Sequence, residues 1–126
     1  MKTKILFLLT IFLLATCVPS KRFGKSSTRT DEFIGYATYY GPGFHGKKTA
    51  SGEIFDMYKM TCAHRTLPFG TVLLVKNLSN NKKVKVRVND RGPFVKGVIL
   101  DLSYGAARKI GLTGKEKVKI LILKRP

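Results

Sequence analysis

From residue 33 onward, hydrophobic and polar positions form short runs separated by turn residues, which is the pattern of a β-rich domain. Residues 83–89 alternate valine with lysine or arginine, so one side of this segment suits a core and the other suits solvent. Residues 33–40 are rich in aromatic and β-branched side chains, and residues 71–78 form a mostly apolar run typical of a buried strand. We therefore predict a strand in each segment.

The pattern continues toward the C-terminus. The Ser-Asn-Asn sequence at residues 79–81 predicts a hairpin. Further strands are predicted over residues 98–101 and 117–123, and between them a short helix with Ser103 as its N-cap runs up to Gly111. In a chain of 126 residues, many short strands and one helix predict one small closed barrel, without an internal repeat or a second domain after it.

The first 17 residues have the composition of a secretory signal. Lys2 and Lys4 precede an apolar run over residues 5–15 that is too short to span a bilayer comfortably. The run closes on Leu-Ala-Thr-Cys, which resembles a bacterial lipobox that would be acylated at Cys17, although Thr16 stands where Gly, Ala or Ser is usual. We expect an exported, membrane-anchored lipoprotein of the cell envelope that faces the periplasm. The alternative is an ordinary signal peptide with an incidental cysteine.

Residues 18–32 are polar and basic and show no hydrophobic periodicity, which predicts a flexible tether. A tether of this size has a root-mean-square reach of roughly 20 Å. A lipid on Cys17 would therefore hold a domain over residues 33–126 close to a membrane.

The chain is strongly basic. Its 24 Lys and Arg residues against 7 Asp and Glu residues give a formal net charge of +17, which predicts an anionic partner. Removing Lys2 and Lys4 with the signal lowers this charge by two, to +15. Export argues against nucleic acid as the partner and favours the cell wall or anionic lipids. Part of the charge is expected to be an ordinary solvated surface.

The few acidic residues are concentrated near strand ends and glycines. Asp90 ends the alternating strand and precedes Arg-Gly-Pro, while Glu53 and Asp56 lie in a polar, glycine-containing segment, with His64 eleven residues after Glu53. An acid beside glycine and proline is often only a turn residue. A basic protein that places its few carboxylates in this way also suggests a carboxylate-based site, and both interpretations stay open from these residues alone.

Five ordered motifs carry a resemblance to a known family. They are GYATYYG (35–41) with FHG (44–46), TASGE (49–53) with Phe55-Asp56, AHRTLPFGT (63–71), VNDRGPF (88–94) and DLS (101–103). Together, over nearly all of residues 33–112, they resemble the rare lipoprotein A family, septal-ring lytic transglycosylases of the bacterial envelope.

The resemblance implies both a fold and an activity. The fold would be all-β, a small six-stranded double-psi β-barrel with one or two short helices, related to expansins. The activity would be that of a lytic transglycosylase, which cleaves MurNAc-GlcNAc bonds of preferably stem-free peptidoglycan and leaves 1,6-anhydro ends. The family's proposed catalytic positions fall on Asp90, Glu53 and His64. The alternative function is a non-catalytic, expansin-like glycan-binding or wall-loosening module.

The chemistry of glycosidic cleavage suggests a role for each of these residues. The leaving oxygen requires a proton donor, and we predict that Asp90 is this acid and afterwards the base. Glu53 would share this work or stabilise developing positive charge, and His64 would position Glu53 or a sugar hydroxyl. The structural alternatives are a hydrogen-bond acceptor in a loop for Glu53 and a packed histidine for His64.

Aromatic and basic residues complete the predicted site. Substrate contacts are predicted for Tyr40, Ser51 and Arg91, and Arg91 is expected to pair with Asp101. A sugar-stacking platform is the alternative to core packing for four aromatic residues, Tyr36, Tyr39, Tyr40 and Phe44.

No cofactor is predicted. Cys62 precedes His64 by two residues, but no partner that would orient a thiol nucleophile is identifiable, and a buried inert thiol is expected. His45, His64 and Cys62 lack a recognised spacing of metal ligands, so no metal is predicted. The expected partners are peptidoglycan glycan strands and, through the lipid anchor, a membrane. The protein is expected to be a monomer.

Overall fold

The computed structural model describes residues 31–126, in which six strands, one α-helix and one 3₁₀ turn are formed. The strands are β1 (Glu32–Tyr40), β2 (Thr61–Ala63), β3 (Val72–Asn77), β4 (Lys83–Asp90), β5 (Val98–Ser103) and β6 (Glu116–Lys124). Helix α1 covers Tyr104–Lys109, and the 3₁₀ turn covers Pro42–Phe44. Within residues 31–126, no helix is long and apolar enough to cross a bilayer. Cys17, the predicted signal and most of the predicted tether lie outside the described residues.

The predicted elements are present. β1, β3, β4 and β6 match the predicted strands to within one residue at either end, and α1 follows its predicted N-cap, Ser103. β5 continues two residues beyond the predicted end at Asp101. The sequence pattern does not predict β2, because three residues are too few to show a hydrophobic period.

The six strands close into a barrel in the order β1-β5-β2-β4-β3-β6. β1 pairs in parallel with β5 and β2 in parallel with β4, and the other neighbouring pairs are antiparallel. Every strand therefore has hydrogen-bonded neighbours on both edges. This arrangement confirms the all-β prediction of a small six-stranded double-psi β-barrel, and residues 31–126 contain all the strands that close it.

The hydrophobic core fills the inside of the barrel. Val84, Val86 and Val88 of β4 are buried there, as the alternating pattern predicts. Cys62 of β2 is fully buried in the same core, and burial raises the pKa of its thiol. The thiol is a packing group, since a nucleophile must be ionised and accessible.

Helix α1 begins where β5 ends and packs onto the barrel. The Oγ atom of Ser103 accepts a hydrogen bond from the Ala106 N–H (3.2 Å) and donates one to the Lys59 carbonyl (2.6 Å). Gly105 lies directly against the segment that precedes β2, where a Cβ atom would stand 2.6 Å from the carbonyl oxygen of Tyr58. The helix start therefore ties this segment to the end of β5.

We expect Gly105→Ala to destabilise the domain, although alanine is the better helix former. The added methyl group would meet backbone atoms of Tyr58, and overpacking of this kind costs about 1–3 kcal/mol. Gly114→Ala is the matched control, because an added Cβ there has no neighbour within 4 Å. Thermal unfolding of both variants measures the difference, and equal melting temperatures would contradict the close contact at Gly105.

Candidate active site

The three-residue strand β2 lies between β4 and β5 and brings two acidic residues together. Its last residue, Ala63, pairs with Asp90 of β4 on one side and with Asp101 of β5 on the other. Side chains of opposed residues project from the same face of a sheet, so both carboxyl groups stand beside Ala63. Neighbouring strands are about 4.8 Å apart, which places the two aspartate backbones roughly 10 Å apart. The small side chain between them leaves room for a ligand.

The two aspartates line one pocket of about 320 Å³. Its other lining residues are Tyr40, Phe44, Ala63 and the segment 91–95. Apolar and aromatic walls with a few polar groups are typical of a small-molecule site. The two carboxyl groups are the acidic side chains of this pocket, and such groups can act as an acid or a base.

Asp101 is the partly buried carboxyl group of the pocket. Its Oδ1 accepts a hydrogen bond from Thr38 Oγ1 at 3.1 Å. Burial raises the pKa of Asp101 to about 6, against the opposing effect of this hydrogen bond and with a contribution from the charge of Asp90. Asp101 therefore keeps its proton in mildly acidic solution and is suited to donate it.

Asp90 ends β4 at the pocket, where the sequence predicts it. Its Oδ1 accepts hydrogen bonds from the backbone N–H groups of Ala50 and Arg91, both at 2.9 Å. Its Oδ2 accepts no hydrogen bond from any residue in the range 31–126. Two backbone donors fix one oxygen, a favourable arrangement for a carboxylate, and the second oxygen remains available to a ligand.

Glu53 lies outside the pocket lining and contacts β4. Its carboxylate accepts hydrogen bonds from Arg87 at 2.5 and 2.9 Å and from Asn89 Nδ2 at 3.2 Å. The hydrogen bond from Arg87 lowers the pKa of Glu53, which is therefore an ionised acceptor. This contact holds the loop whose Ala50 N–H binds Asp90. Of the two interpretations of Glu53, the geometry favours the loop acceptor, which acts on the site by positioning Asp90.

His64 contacts Asp90 through its backbone and also lies outside the pocket lining. Its Nδ1 accepts hydrogen bonds from the N–H groups of Thr66 (3.1 Å) and Leu67 (3.0 Å), and its own N–H donates to the Asp90 carbonyl at 3.2 Å. Burial, with the charges of nearby arginines, lowers the pKa of His64, so the ring is neutral at neutral pH. No hydrogen bond joins His64 to Glu53 among the described residues, so the predicted positioning of Glu53 by His64 is not observed.

The predicted ion pair between Arg91 and Asp101 is wrong. The Nη1 atom of Arg91 donates to the carbonyls of His64 (3.2 Å) and Leu67 (2.7 Å), and its guanidinium carbon lies 3.9 Å from the ring centroid of Phe69. The guanidinium therefore fixes the loop after β2, while Arg91 still contributes to the pocket lining. Because the Arg91 guanidinium is not paired with Asp101, it does not counteract the rise in the pKa of Asp101 that burial causes.

Tyr40 lines the pocket, at the place that a substrate contact requires. Its ring stacks on Phe55 with centroids 4.5 Å apart and meets Phe44 edge-on at 5.7 Å. Its hydroxyl oxygen is buried without a hydrogen-bond partner among the described residues. Of the four aromatic residues considered as a platform, Tyr40 and Phe44 line the pocket, whereas Tyr36 and Tyr39 do not.

Ser51, predicted as a substrate contact, does not line the pocket. Its Oγ lies 2.8 Å from Thr49 Oγ1, and its N–H donates to the Asn89 carbonyl at 3.2 Å. These bonds make it part of the loop that supports Asp90. Within residues 31–126, no group of three or more His, Cys, Asp or Glu side chains is placed to hold a metal ion.

The sequence predicts Asp101 only as the partner of Arg91, and it gives Phe94 no role in the site. Asp101 interrupts the apolar run of β5, and an acid within a largely buried strand is a signal because burying an unpaired carboxylate is costly. Phe94 is 82% exposed at the pocket edge. Nothing in its local sequence separates it from an ordinary loop residue.

Comparison with known proteins identifies the family of the chain. A family model described as "Lytic transglycolase" matches residues 32–122. The chain belongs to this family. The chain is 53% identical over 91 residues to the endolytic peptidoglycan transglycosylase RlpA of Campylobacter jejuni, an alignment that covers 71% of this chain and 33% of the relative. It is 60% identical over 78 residues to the probable RlpA of Synechocystis, covering 62% and 24% respectively.

A solved structure shows a similar fold. The apo expansin of Clavibacter michiganensis superposes with a TM-score of 0.60 at 24% identity, covering 75% of this chain and 52% of the expansin.

The chain spans between about a quarter and a third of the length of the two RlpA relatives. The range that the family model matches, residues 32–122, contains Asp90 and Asp101.

We expect Asp101→Asn to stabilise the domain in a pH-dependent way. A folded-state pKa of about 6, raised from 3.8, means that ionisation of Asp101 destabilises the fold as pH rises from about 4 to about 6. An asparagine at this position cannot ionise, so the variant does not lose stability in this way. Its free energy of unfolding should equal that of the wild type near pH 4 and exceed it by at most about 3 kcal/mol above pH 6. Chemical denaturation across this pH range measures it, and a pH-independent difference would contradict the assignment.

Proposed function

We propose that this domain is a peptidoglycan lytic transglycosylase that cleaves MurNAc-GlcNAc bonds of glycan strands and forms 1,6-anhydro ends. The observation that carries the proposal is the pair of carboxyl groups beside Ala63, one of them partly buried with a pKa raised to about 6. Paired carboxyl groups in different environments are how glycosidases divide acid and base work. The names of the RlpA relatives support the substrate, since they are peptidoglycan transglycosylases.

In this proposal, protonated Asp101 starts the reaction. It donates its proton to the glycosidic oxygen as the bond from that oxygen to C1 of the MurNAc unit breaks. Positive charge then develops at C1 and the ring oxygen. The carboxylate of Asp90 stabilises this charge through Oδ2, the oxygen that accepts no hydrogen bond from the described residues.

The second half of the reaction closes the anhydro ring. The 6-hydroxyl of the same MurNAc unit attacks C1, and its proton passes to the Asp101 carboxylate. A bond from C1 to O6 replaces the broken bond, and Asp101 regains its proton, so no water is consumed. The motifs alone give both the acid and the base role to Asp90. In this proposal, the burial of Asp101 assigns both roles to Asp101 instead.

The residues around the pocket position Asp90 rather than react. Glu53 holds the loop whose Ala50 N–H donates a hydrogen bond to the Asp90 carboxylate, and the N–H of His64 donates to the Asp90 carbonyl. This explains how the motif positions of Glu53 and His64 contribute to catalysis without lining the pocket. Their loss would lower activity by displacing the Asp90 carboxylate.

The cellular setting belongs to the proposal as well. An apolar N-terminal run and the lipobox-like cysteine at residue 17 support export and a lipid anchor on the periplasmic side of a membrane. Glycan strands of the wall would be the main partner. A monomer suffices, because one barrel supplies both carboxyl groups.

We expect Asp101→Asn and Asp90→Asn each to lower cleavage of stem-free peptidoglycan by about 10²-fold or more, since each removes one half of the acid and base chemistry. The measurement is mass spectrometry of the soluble sugars released when residues 31–126 are incubated with stem-free peptidoglycan, which detects the anhydro ends.

Wild-type activity should fall about tenfold per pH unit above pH 6, as Asp101 loses its proton. Wild-type protein that binds the glycan but releases no product would favour the glycan-binding module instead.

We expect Phe94→Ala to weaken glycan binding about tenfold, because truncating an aromatic contact residue commonly costs this much. Phe94 is largely exposed and lines the pocket, so the fold should tolerate its loss. Tyr58→Ala is the matched control, since Tyr58 is 65% exposed and lies outside the pocket lining. Calorimetric titration with stem-free glycan fragments measures both, and equal affinities would remove Phe94 from the site.

A further inference from the structure

A row of three lysines crosses the outer surface of the barrel on three adjacent strands. Lys76 of β3 is paired with Lys83 of β4 on one side and with Lys119 of β6 on the other. Opposed residues present their side chains on the same face, so the three ammonium groups are neighbours. We name these three residues the lysine row.

This arrangement is unfavourable for the isolated protein. Like charges placed directly opposite each other destabilise a sheet. Lys119 has an acidic partner, Glu32, at 2.7 Å. Within residues 31–126, no acidic side chain forms an ion pair with Lys76 or Lys83. The uncompensated charge of the row therefore favours a negatively charged partner.

The surface around the row has the shape and composition of a docking face. A shallow depression of about 150 Å³ is lined by the row together with Glu32, Leu74 and Leu121. Ile34 pairs with Lys119 across β1 and β6 and is 55% exposed. Basic groups beside exposed apolar side chains are typical of surfaces that rest on lipid. A soluble polyanion would use the lysines and leave the apolar residue without a partner.

The position of the row in the barrel favours the same partner. In the closed order of strands, β3 and β6 lie opposite β2 and β5, which carry Ala63 and Asp101 of the pocket. Lys83 and Asp90 stand at opposite ends of β4, roughly 23 Å apart at the rise of an extended strand. Glu32, beside the row, is the first residue of β1, so the described chain enters the barrel on this side.

We propose that the lysine row docks the barrel on an anionic phospholipid surface, with phosphate groups as its ligands. The chain enters the barrel on the same side as the row, and the apolar run of residues 5–15 precedes this entry in the sequence. The pocket then faces away from the lipid, toward the glycan. This inference stands independently of the reaction in the pocket.

The test is co-sedimentation of residues 31–126 with vesicles of phosphatidylcholine, with and without phosphatidylglycerol. This part of the chain closes the barrel by itself and excludes the basic N-terminal residues. We expect binding only to the vesicles that contain phosphatidylglycerol. The triple variant Lys76→Gln, Lys83→Gln, Lys119→Gln should bind them about a hundredfold more weakly, since each lysine near an anionic surface contributes about fivefold.

A matched control removes the same charge elsewhere. Lys48, Lys59 and Lys96 are exposed and lie outside the barrel strands, so their triple substitution by glutamine should change vesicle binding by less than about threefold, because the field of a charge fades beyond a Debye length. Equal weakening by both triple variants would overturn the proposal, as would no wild-type binding. Binding to soluble polyphosphate through the lysine row, without binding to vesicles, would identify a soluble polyanion as the partner instead. Melting temperatures no lower than that of the wild type confirm that both variants are folded, and the lysine-row variant should melt higher because its like-charge repulsion is removed.

Discussion

The placement of β2 between β4 and β5 is the constraint on which the rest of the site depends. One residue, Ala63, is in register with Asp90 on one side and Asp101 on the other. The hydrogen bonds from β2 to its two neighbouring strands thereby fix the separation of the two carboxyl groups. The carboxyl groups do not need to contact each other to keep this distance. The small side chain of Ala63 leaves space for the pocket between the two aspartates, while the side chain of Cys62 beside it is buried in the core.

Around this centre, the fold uses backbone groups to hold the reactive side chains. Asp90 receives N–H bonds from its own strand end and from the loop at Ala50, and its carbonyl accepts from the loop at His64. Glu53 holds the first loop to β4. The side chains of these loops hold the backbone in place, and the acidic groups of the pocket itself are Asp90 and Asp101.

The sequence predicts most of the fold, because alternating valines, turn residues and the Ser103 cap are local signals. It does not predict β2, which owes its conformation to its two neighbours. The same reason limits prediction of the site. The position of Asp90 at a strand end is visible in the sequence, but the burial of Asp101 and the contacts of Arg91 depend on segments distant along the chain.

The parallel pairing of β1 with β5 brings together segments about sixty residues apart, such as Tyr36 and Val98. Contacts of such high sequence separation form late and slowly, because loop closure precedes any gain from pairing. Asp101 is buried only once this closure is complete. A chain that is still unfolded therefore has no proton donor of raised pKa, so the complete pocket and the finished barrel arise in the same step. Folding therefore determines when the pocket acquires its proton donor, without a separate activating step.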